Sequence, residues 1–155
     1  MKHIWVLALA AVAATGAFVA RAQISGGSGL VHYPERYQQG VHYNTINRGN
    51  VREEMFTSRA AVAAARTGQP LPSGTVIVNE WYENGRLTHY FVMEKRAGWG
   101  IEIPTGARAG EWEFQDFSPS KIAKADEDGS SCKSCHRSQA DHDFVWTYGR
   151  MAGAR

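Results

Sequence analysis

The strongest constraint in the sequence is the five-residue segment Cys132-Lys133-Ser134-Cys135-His136. It contains the only two cysteines of the 155-residue chain, and a histidine directly follows the second. Thiols three positions apart lie on one face of a helical turn, where each can form a thioether with a haem vinyl group. The adjacent imidazole can then bind the iron as an axial ligand. The segment therefore predicts one covalently attached haem c, held by Cys132, Cys135 and His136, with His136 as the metal ligand.

Two other interpretations of the cysteine pair fit the sequence less well. A zinc ribbon requires a second cysteine pair, and the sequence has none. A thioredoxin-like dithiol begins a helix after a central strand of a βαβ unit, and no such unit precedes this pair. The spacing therefore favours haem over zinc or a redox dithiol.

The N-terminal residues 1–22 have the features of a secretory signal peptide. Lys2 precedes an apolar run that ends in Ala20-Arg21-Ala22, which fits an A-x-A cleavage site. A transmembrane anchor is the alternative, but the run is rich in alanine and lacks a stop-transfer flank. We therefore expect export to the periplasm, cleavage before Gln23, and no membrane span after processing.

Length and charge limit what the processed chain can be. Without its first 22 residues it is long enough for one domain with a real core and too short for two. Residues 23–32 are predicted to be a flexible lead-in, and 33–155 a single haem domain. The whole chain carries 17 Lys and Arg against 15 Asp and Glu, and the signal peptide holds the two excess basic residues. This neutral balance gives no indication of nucleic acid binding.

Hydrophobic periodicity predicts a body made largely of strands. Alternating segments occur at 41–46, 51–56, 74–82, 87–95 and 111–117, and the pattern is weakest at 51–56. Asn84-Gly85 between two of them is a hairpin signal. The alanine-rich segment 59–66, capped by Thr57-Ser58 and ended by Gly68, predicts a helix packed on the sheet. The polar loop 118–131 follows, and Phe144 and Trp146 are expected to pack against the porphyrin.

The position of the motif separates classes of cytochrome. Small electron-carrier cytochromes have it near the N-terminus and a methionine ligand far downstream, whereas here only nineteen residues follow His136. Met151 is the only methionine among them, and its place near the chain end disfavours it as a ligand. Four-helix cytochromes c′ have a C-terminal motif, but this chain is strand-rich.

Four segments in order carry a resemblance to a known family: Gly74–Glu80, Glu111–Phe114, Cys132–His136 and Asp143–Thr147. Together with the Tyr33-Pro34 start and the capped helix, they resemble the cytochrome P460 family, which includes the cytochromes c′-beta. The resemblance covers residues 33–147. It implies an α+β fold, mainly an antiparallel β-sheet with a few helices, in which haem is bound at the sheet through the C-terminal CxxCH segment. It also implies that His136 is the proximal ligand.

The resemblance also distinguishes two groups within the family, the members that oxidise hydroxylamine and the c′-beta members. In the members that oxidise hydroxylamine, a strand lysine is bonded to the porphyrin, and this chain has Asn79 at the matching position. An amide lacks the nucleophilic amine that the bond requires. Lys95 is the only other lysine in the sheet region, so a replacement cross-link would have to come from Lys95. The c′-beta members, which this chain resembles more closely, lack the cross-link and place phenylalanine over the iron.

The resemblance to c′-beta members implies an apolar distal pocket over a five-coordinate iron. Phe91 is the candidate for the pocket wall, and Asn79 for a hydrogen-bond donor to a bound ligand. Ordinary packing roles for both residues remain open. His89 or Met93 could instead bind the iron and produce an electron carrier.

The hairpin register decides which side chains share the Asn79 face. A two-residue loop sets Asn79 opposite Tyr90, whereas a three-residue loop with a bulge brings His89, Phe91 and Met93 to that face. The carboxylates of Glu80 and Glu94 are candidate proton acceptors, with ordinary solvated or sheet-packing roles as the alternative. Glu80 points away in either register, and Glu94 joins the face only with the two-residue loop.

The sequence thus predicts a periplasmic monohaem protein that binds or redox-processes small nitrogen species such as NO; whether it is an enzyme stays open. One alternative is a hydroxylamine-oxidising enzyme, which needs the cross-link. The other is an electron-transfer cytochrome, which needs a strong sixth ligand. Expected partners are a small gaseous or nitrogenous ligand, a redox partner protein and a second copy of the chain in a homodimer.

Overall fold

Five strands form one antiparallel sheet in the order in which they occur along the chain. The computed structural model describes residues 29–125 and 129–154. The predicted signal peptide, residues 23–28 of the lead-in and the acidic residues 126–128 lie outside the described residues. The strands are β1 (Val41–Arg48), β2 (Val51–Thr57), β3 (Val76–Glu83), β4 (Arg86–Lys95) and β5 (Trp112–Phe117).

Three short helices accompany the sheet within the described residues, and the predicted α+β class is confirmed. They are α1 (Arg59–Arg66), α2 (Ser130–His136) and α3 (Tyr148–Ala152). Turns of 3-10 helix occur at Tyr37–Gln39 and at Arg137–His142, directly after α2. No helix in the described part of the chain is long and apolar enough to cross a bilayer.

Helix α1 begins and ends as its sequence predicts but packs differently. The Ser58 hydroxyl accepts a hydrogen bond from the Ala61 amide at 3.1 Å, and Gly68 adopts the left-handed φ of +69° that ends many helices. Its buried alanines lie in the same core as Met151 of α3, and α3 is the element that α1 contacts most closely. The expected packing of this helix directly on the sheet is therefore replaced by helix-on-helix packing.

The β3–β4 hairpin combines a two-residue loop with a shifted register. Asn84 and Gly85 both have positive φ, as a tight hairpin turn requires, and Glu83 pairs with Arg86. A β-bulge at Thr88 then moves the pairing by one residue, so that Asn79 lies opposite Phe91. The predicted link between loop length and register was wrong, because the bulge lies inside β4 rather than in the loop.

The two faces of the sheet are covered by different parts of the chain. One face meets the C-terminal segment and contributes Tyr43, Met55, Ile77, Met93 and Phe114 to the larger core cluster. The other face carries Val78, Tyr90, Val92 and Phe117, and the segment containing Val31, Tyr33 and Tyr37 packs over it. The motif helix therefore faces the first of these surfaces.

Candidate functional site

A cavity of about 960 Å³ lies between the first sheet face and the C-terminal segment. Its volume is at the upper end of the range for small-molecule and cofactor sites. The five residues predicted to bind the haem or to face its distal side all line it: Asn79, Phe91, Cys132, Cys135 and His136. The structure thus brings together positions separated by more than fifty residues, while the role of each stays a prediction.

Helix α2 presents the motif to this cavity. Gly129 precedes the helix with a left-handed φ of +72°, and the two cysteines are present as thiols three positions apart within one turn. Lys133, between them, is buried, and its ammonium group lies 2.7 Å from the carboxylate of Glu113 on β5. This ion pair anchors α2 to the sheet.

His136 is held in the tautomer that leaves its outer nitrogen able to bind a metal. Its Nδ1 lies 2.7 Å from the carbonyl oxygen of Phe144. Because a carbonyl only accepts hydrogen bonds, Nδ1 carries the proton and Nε2 keeps its lone pair. Burial lowers the pKa of His136 and outweighs the opposing effect of this hydrogen bond, so the imidazole favours its neutral, metal-binding form.

The remaining lining suits a large, flat, mainly apolar group that carries carboxylates. The lining contains many apolar side chains together with two arginines and several amides. The apolar members include Met55, Ile77, Met93, Phe114 and Val145, and the arginines are Arg48 and Arg150. Together with the thiol pair and a neutral imidazole, this set fits haem c, whose two propionates require cationic or amide partners.

A carboxylate that the sequence did not single out lies beside Asn79. The Asn79 side-chain amide donates a hydrogen bond to Glu53 at 2.7 Å, and Glu53 also pairs with Arg48. Glu53 is only 4% exposed, so Arg48 and Asn79 are what compensate its buried charge. One amide hydrogen of Asn79 is thereby committed, and its carbonyl oxygen is buried without a partner among the described residues.

Three residues are candidates for a sixth iron ligand: His89, Met93 and Met151. Among them, only Met93 belongs to the described cavity lining. Nδ1 of His89 lies 3.1 Å from the Asp116 carboxylate and 2.8 Å from the Lys124 ammonium, and His89 is not among the described residues that line the cavity. Met151 is fully buried in the core beside α1. Met93 does line the cavity, opposite Ile77.

Neither of the two candidate proton acceptors, Glu80 and Glu94, lies on the cavity face. Glu80 lies on the opposite face, where Tyr82 donates a hydrogen bond to it at 2.7 Å. Glu94 pairs with Val76 on that same opposite face, and Arg96 donates to it.

Of the two aromatic residues expected at the porphyrin, one lines the described cavity, and Lys95 does not. The ring of Phe144 packs against Gly110 and is not part of the described lining, whereas its carbonyl oxygen orients His136. Trp146 lines the cavity and remains 55% exposed. Lys95 is buried and bonded to Asp143, away from the described lining.

Sequence reasoning missed Glu53, Arg48 and the Phe144 carbonyl. The signal for Glu53 was available in the alternation of Val51, Glu53 and Met55, which places its side chain on one face of β2. A backbone carbonyl leaves no such signal, because its direction depends on φ and ψ rather than on side-chain type.

Comparison with known protein families agrees with this geometry. The family model described as cytochrome P460 matches residues 32–147, three quarters of the chain. The chain belongs to the cytochrome P460 family. It is therefore a haem protein, of a family associated with the chemistry of small nitrogen species. A search of curated proteins found no match.

Proposed function

We propose that this cytochrome P460 family member is a periplasmic monohaem c-type protein that binds or redox-processes small nitrogen species at a five-coordinate iron. Cys132 and Cys135 would hold the haem through two thioethers, and His136 would be its proximal ligand. The observation that carries the proposal is the His136 imidazole, fixed by the Phe144 carbonyl beside a cavity that both thiols also line. When bound, the haem would supply ligand binding and electron exchange, and the lining residues of the cavity would form its pocket.

The distal side in this proposal is formed by the cavity face of the sheet. Phe91 lies opposite Asn79 and contacts Trp81 edge-on, with ring centroids 5.7 Å apart. These aromatic rings would exclude water and favour small neutral ligands such as NO. The second amide hydrogen of Asn79 would donate to the bound ligand.

A hydroxylamine-oxidising enzyme is the second candidate, and Glu53 is the observation in its favour. A buried carboxylate bonded to Asn79 is a suitable proton acceptor for an N–H or O–H substrate. The lysines argue against this candidate. The four described lysines, Lys95, Lys121, Lys124 and Lys133, each pair with a carboxylate, and none belongs to the described cavity lining.

An electron carrier is the third candidate and depends on Met93. A thioether sulfur at the iron would give a six-coordinate, low-spin haem that does not respond to external ligands. Since His89 lies outside the described lining, replacement of Met93 by Leu should remove low-spin character if this candidate is correct. In the five-coordinate protein that we propose, the same substitution leaves the spin state unchanged.

One preparation of holoprotein tests these candidates. Denaturing mass analysis should show the processed chain plus one haem, and the Cys132→Ala and Cys135→Ala double variant should retain no covalent haem. The ferrous protein should bind NO or CO with a clear change in its optical spectrum. Loss of all haem on denaturation of the parent chain would overturn covalent attachment. A strongly red-shifted ferrous Soret band would overturn the absence of a lysine cross-link.

Partners and location complete the proposal. The apolar run and A-x-A sequence of residues 1–22 support export, and members of the family are typically exported. A redox partner protein would exchange electrons with the haem, and a homodimer is the expected assembly. Fractionation of cells that express the tagged chain tests the location, and size-exclusion chromatography of the holoprotein tests the homodimer.

A further inference from the structure

Lys95 is a buried lysine whose three ammonium hydrogens all have acceptors, two on Asp143 and one on Leu71. Its Nζ lies 2.9 and 2.8 Å from the two carboxylate oxygens of Asp143 and 3.0 Å from the carbonyl oxygen of Leu71. The Leu71 amide in turn donates to the same carboxylate at 2.8 Å. All three ammonium hydrogens therefore have an acceptor. The Asp143 carboxylate accepts hydrogen bonds from both the Lys95 ammonium and the Leu71 amide.

The hydrogen bonds among Lys95, Asp143 and Leu71 fix a backbone turn that is unfavourable by itself. Asp143 has φ of +51° and Phe144 has φ of +63°, two consecutive left-handed residues of which neither is glycine. Aspartate tolerates this conformation, whereas a phenylalanine there is an outlier. Such a conformation persists only when surrounding contacts determine it. Here these contacts are the Lys95 ion pair, the packing of the Phe144 ring on Gly110, and the 2.7 Å hydrogen bond from the Phe144 amide to Gln139.

The turn affects the candidate site through one hydrogen bond. It directs the carbonyl oxygen of Phe144 to Nδ1 of His136 at 2.7 Å. A hydrogen bond from the far nitrogen of a metal-bound imidazole fixes the ring orientation and makes the imidazole a stronger donor to the metal. The strength of the proximal bond would therefore depend on a turn that Lys95 holds from β4.

We propose that Lys95 and Asp143 are positioning residues for the proximal histidine, which act through the left-handed turn at Asp143 and Phe144. The inference rests on the proposed role of His136 as the iron ligand. It gives a reason for a buried lysine that neither lines the cavity nor serves as a cross-link. When the ion pair is lost, the turn relaxes, the hydrogen bond from Nδ1 weakens, and His136 donates less electron density to the iron.

The test compares holoprotein variants by the iron–histidine stretching band of the ferrous protein and by the midpoint potential. Lys95→Met removes the three donors at similar length, and Asp143→Asn keeps a residue that accepts a left-handed φ while it removes the charge. Both should shift the stretching band to lower frequency and the midpoint potential to more positive values. Lys95→Arg, which keeps the charge, should retain most of the parent values.

Lys121→Met is the matched control, because Lys121 forms a comparable ion pair with Glu35 at the exposed surface. It should leave both readouts unchanged. If Lys95→Met does not fold, Asp143→Asn alone decides the question. An unchanged stretching band in variants that still carry haem would overturn the inference and leave Lys95 a purely structural residue. Absence of haem from the parent chain would instead overturn the proposed function, so the two failures are distinguishable.

Discussion

Gly110 is the residue at which the backbone makes room for the ring of Phe144. A Cβ atom there would meet the phenyl ring at 2.5 Å, and the φ of +58° is itself unfavourable for any residue with a side chain. Gly110→Ala should therefore lower the free energy of unfolding by about 2 to 4 kcal/mol, the sum of overpacking and left-handed strain. Urea unfolding of the two holoproteins measures this difference.

Gly106 provides the matched control for that substitution. It lies in the same loop, has no heavy atom within 4 Å of an added Cβ, and has no left-handed φ. Gly106→Ala should change the free energy of unfolding by no more than about 0.5 kcal/mol. Equal effects of the two substitutions would contradict the role that we assign to Gly110.

The residues of the candidate site differ in how well the sequence alone identifies them. Cys132, Cys135 and His136 could be identified as candidates because haem attachment requires a fixed spacing in one turn of helix, and the structure places all three at the cavity while their roles stay a prediction. The alternation along β2 indicates the face on which Glu53 lies, but the adjacent Glu54 weakens the strand prediction and the sequence does not indicate a partner for Glu53. Only the pairing of Glu53 with Trp81 across β2 and β3 places it near Asn79.

At the level of elements, the strands and the alanine-rich helix were predictable from their periodicity and caps, whereas their relations were not. The hairpin loop between β3 and β4 has the two residues that Asn84-Gly85 indicates, yet the bulge at Thr88 reverses which side chains of β4 share a face with Asn79. Nothing in the local sequence marks Thr88, because a bulge is stabilised by the packing of both sheet faces. Register is therefore a tertiary property here.

Helix α2 offers an element-scale prediction through Lys133 and Glu113. The pair joins the motif helix to β5 in a buried setting, with Glu113 only 3% exposed. Lys133→Met leaves the carboxylate buried without its ammonium partner, so the free energy of unfolding should fall by about 3 to 5 kcal/mol. Thermal or urea unfolding of the holoprotein gives the value.

Two further variants distinguish charge from packing at this pair. The Lys133→Met and Glu113→Gln double variant should recover most of the loss, because no charge remains buried alone. Lys121→Met, at an exposed pair, should cost about 0 to 1 kcal/mol. A double variant as unstable as Lys133→Met would show that the loss does not come from an unpaired buried carboxylate, and would contradict the ion pair as the anchor of α2.

In the described part of the chain, the central sheet has two chemically different faces. The cavity face carries the candidate site, and the opposite face carries a group of tyrosines around the buried carboxylate of Glu80. Both Tyr37 and Tyr82 donate hydrogen bonds to Glu80, and Tyr33 packs edge-on against Tyr90. This group joins the segment before β1 to the centre of the sheet, so it should influence the stability of the fold as a unit.

The tyrosine group predicts how the protein responds to alkali. Burial, followed by the hydrogen bond and negative charge of Glu80, raises the pKa of Tyr82 to about 12, and the same causes raise the pKa of Tyr37 further. In the unfolded chain these phenols ionise near pH 10. The folded state therefore holds protons that the unfolded state has released. Their contribution to stability is complete below about pH 10 and is lost progressively as the pH rises through the folded pKa values.

Titration of the phenolate absorbance in native and in urea-unfolded protein tests this prediction, with Glu80→Gln as the informative variant. That substitution removes the charge while it keeps an acceptor, so Tyr82 should ionise at a lower pH than in the parent, and the alkaline loss of stability should become shallower. Glu83→Gln, at an exposed residue whose carboxylate accepts a hydrogen bond from Trp81, should leave the tyrosine titration unchanged. If the native tyrosines ionise together near pH 10, Glu80 does not control them. The segment before β1 would then be held by ring packing alone.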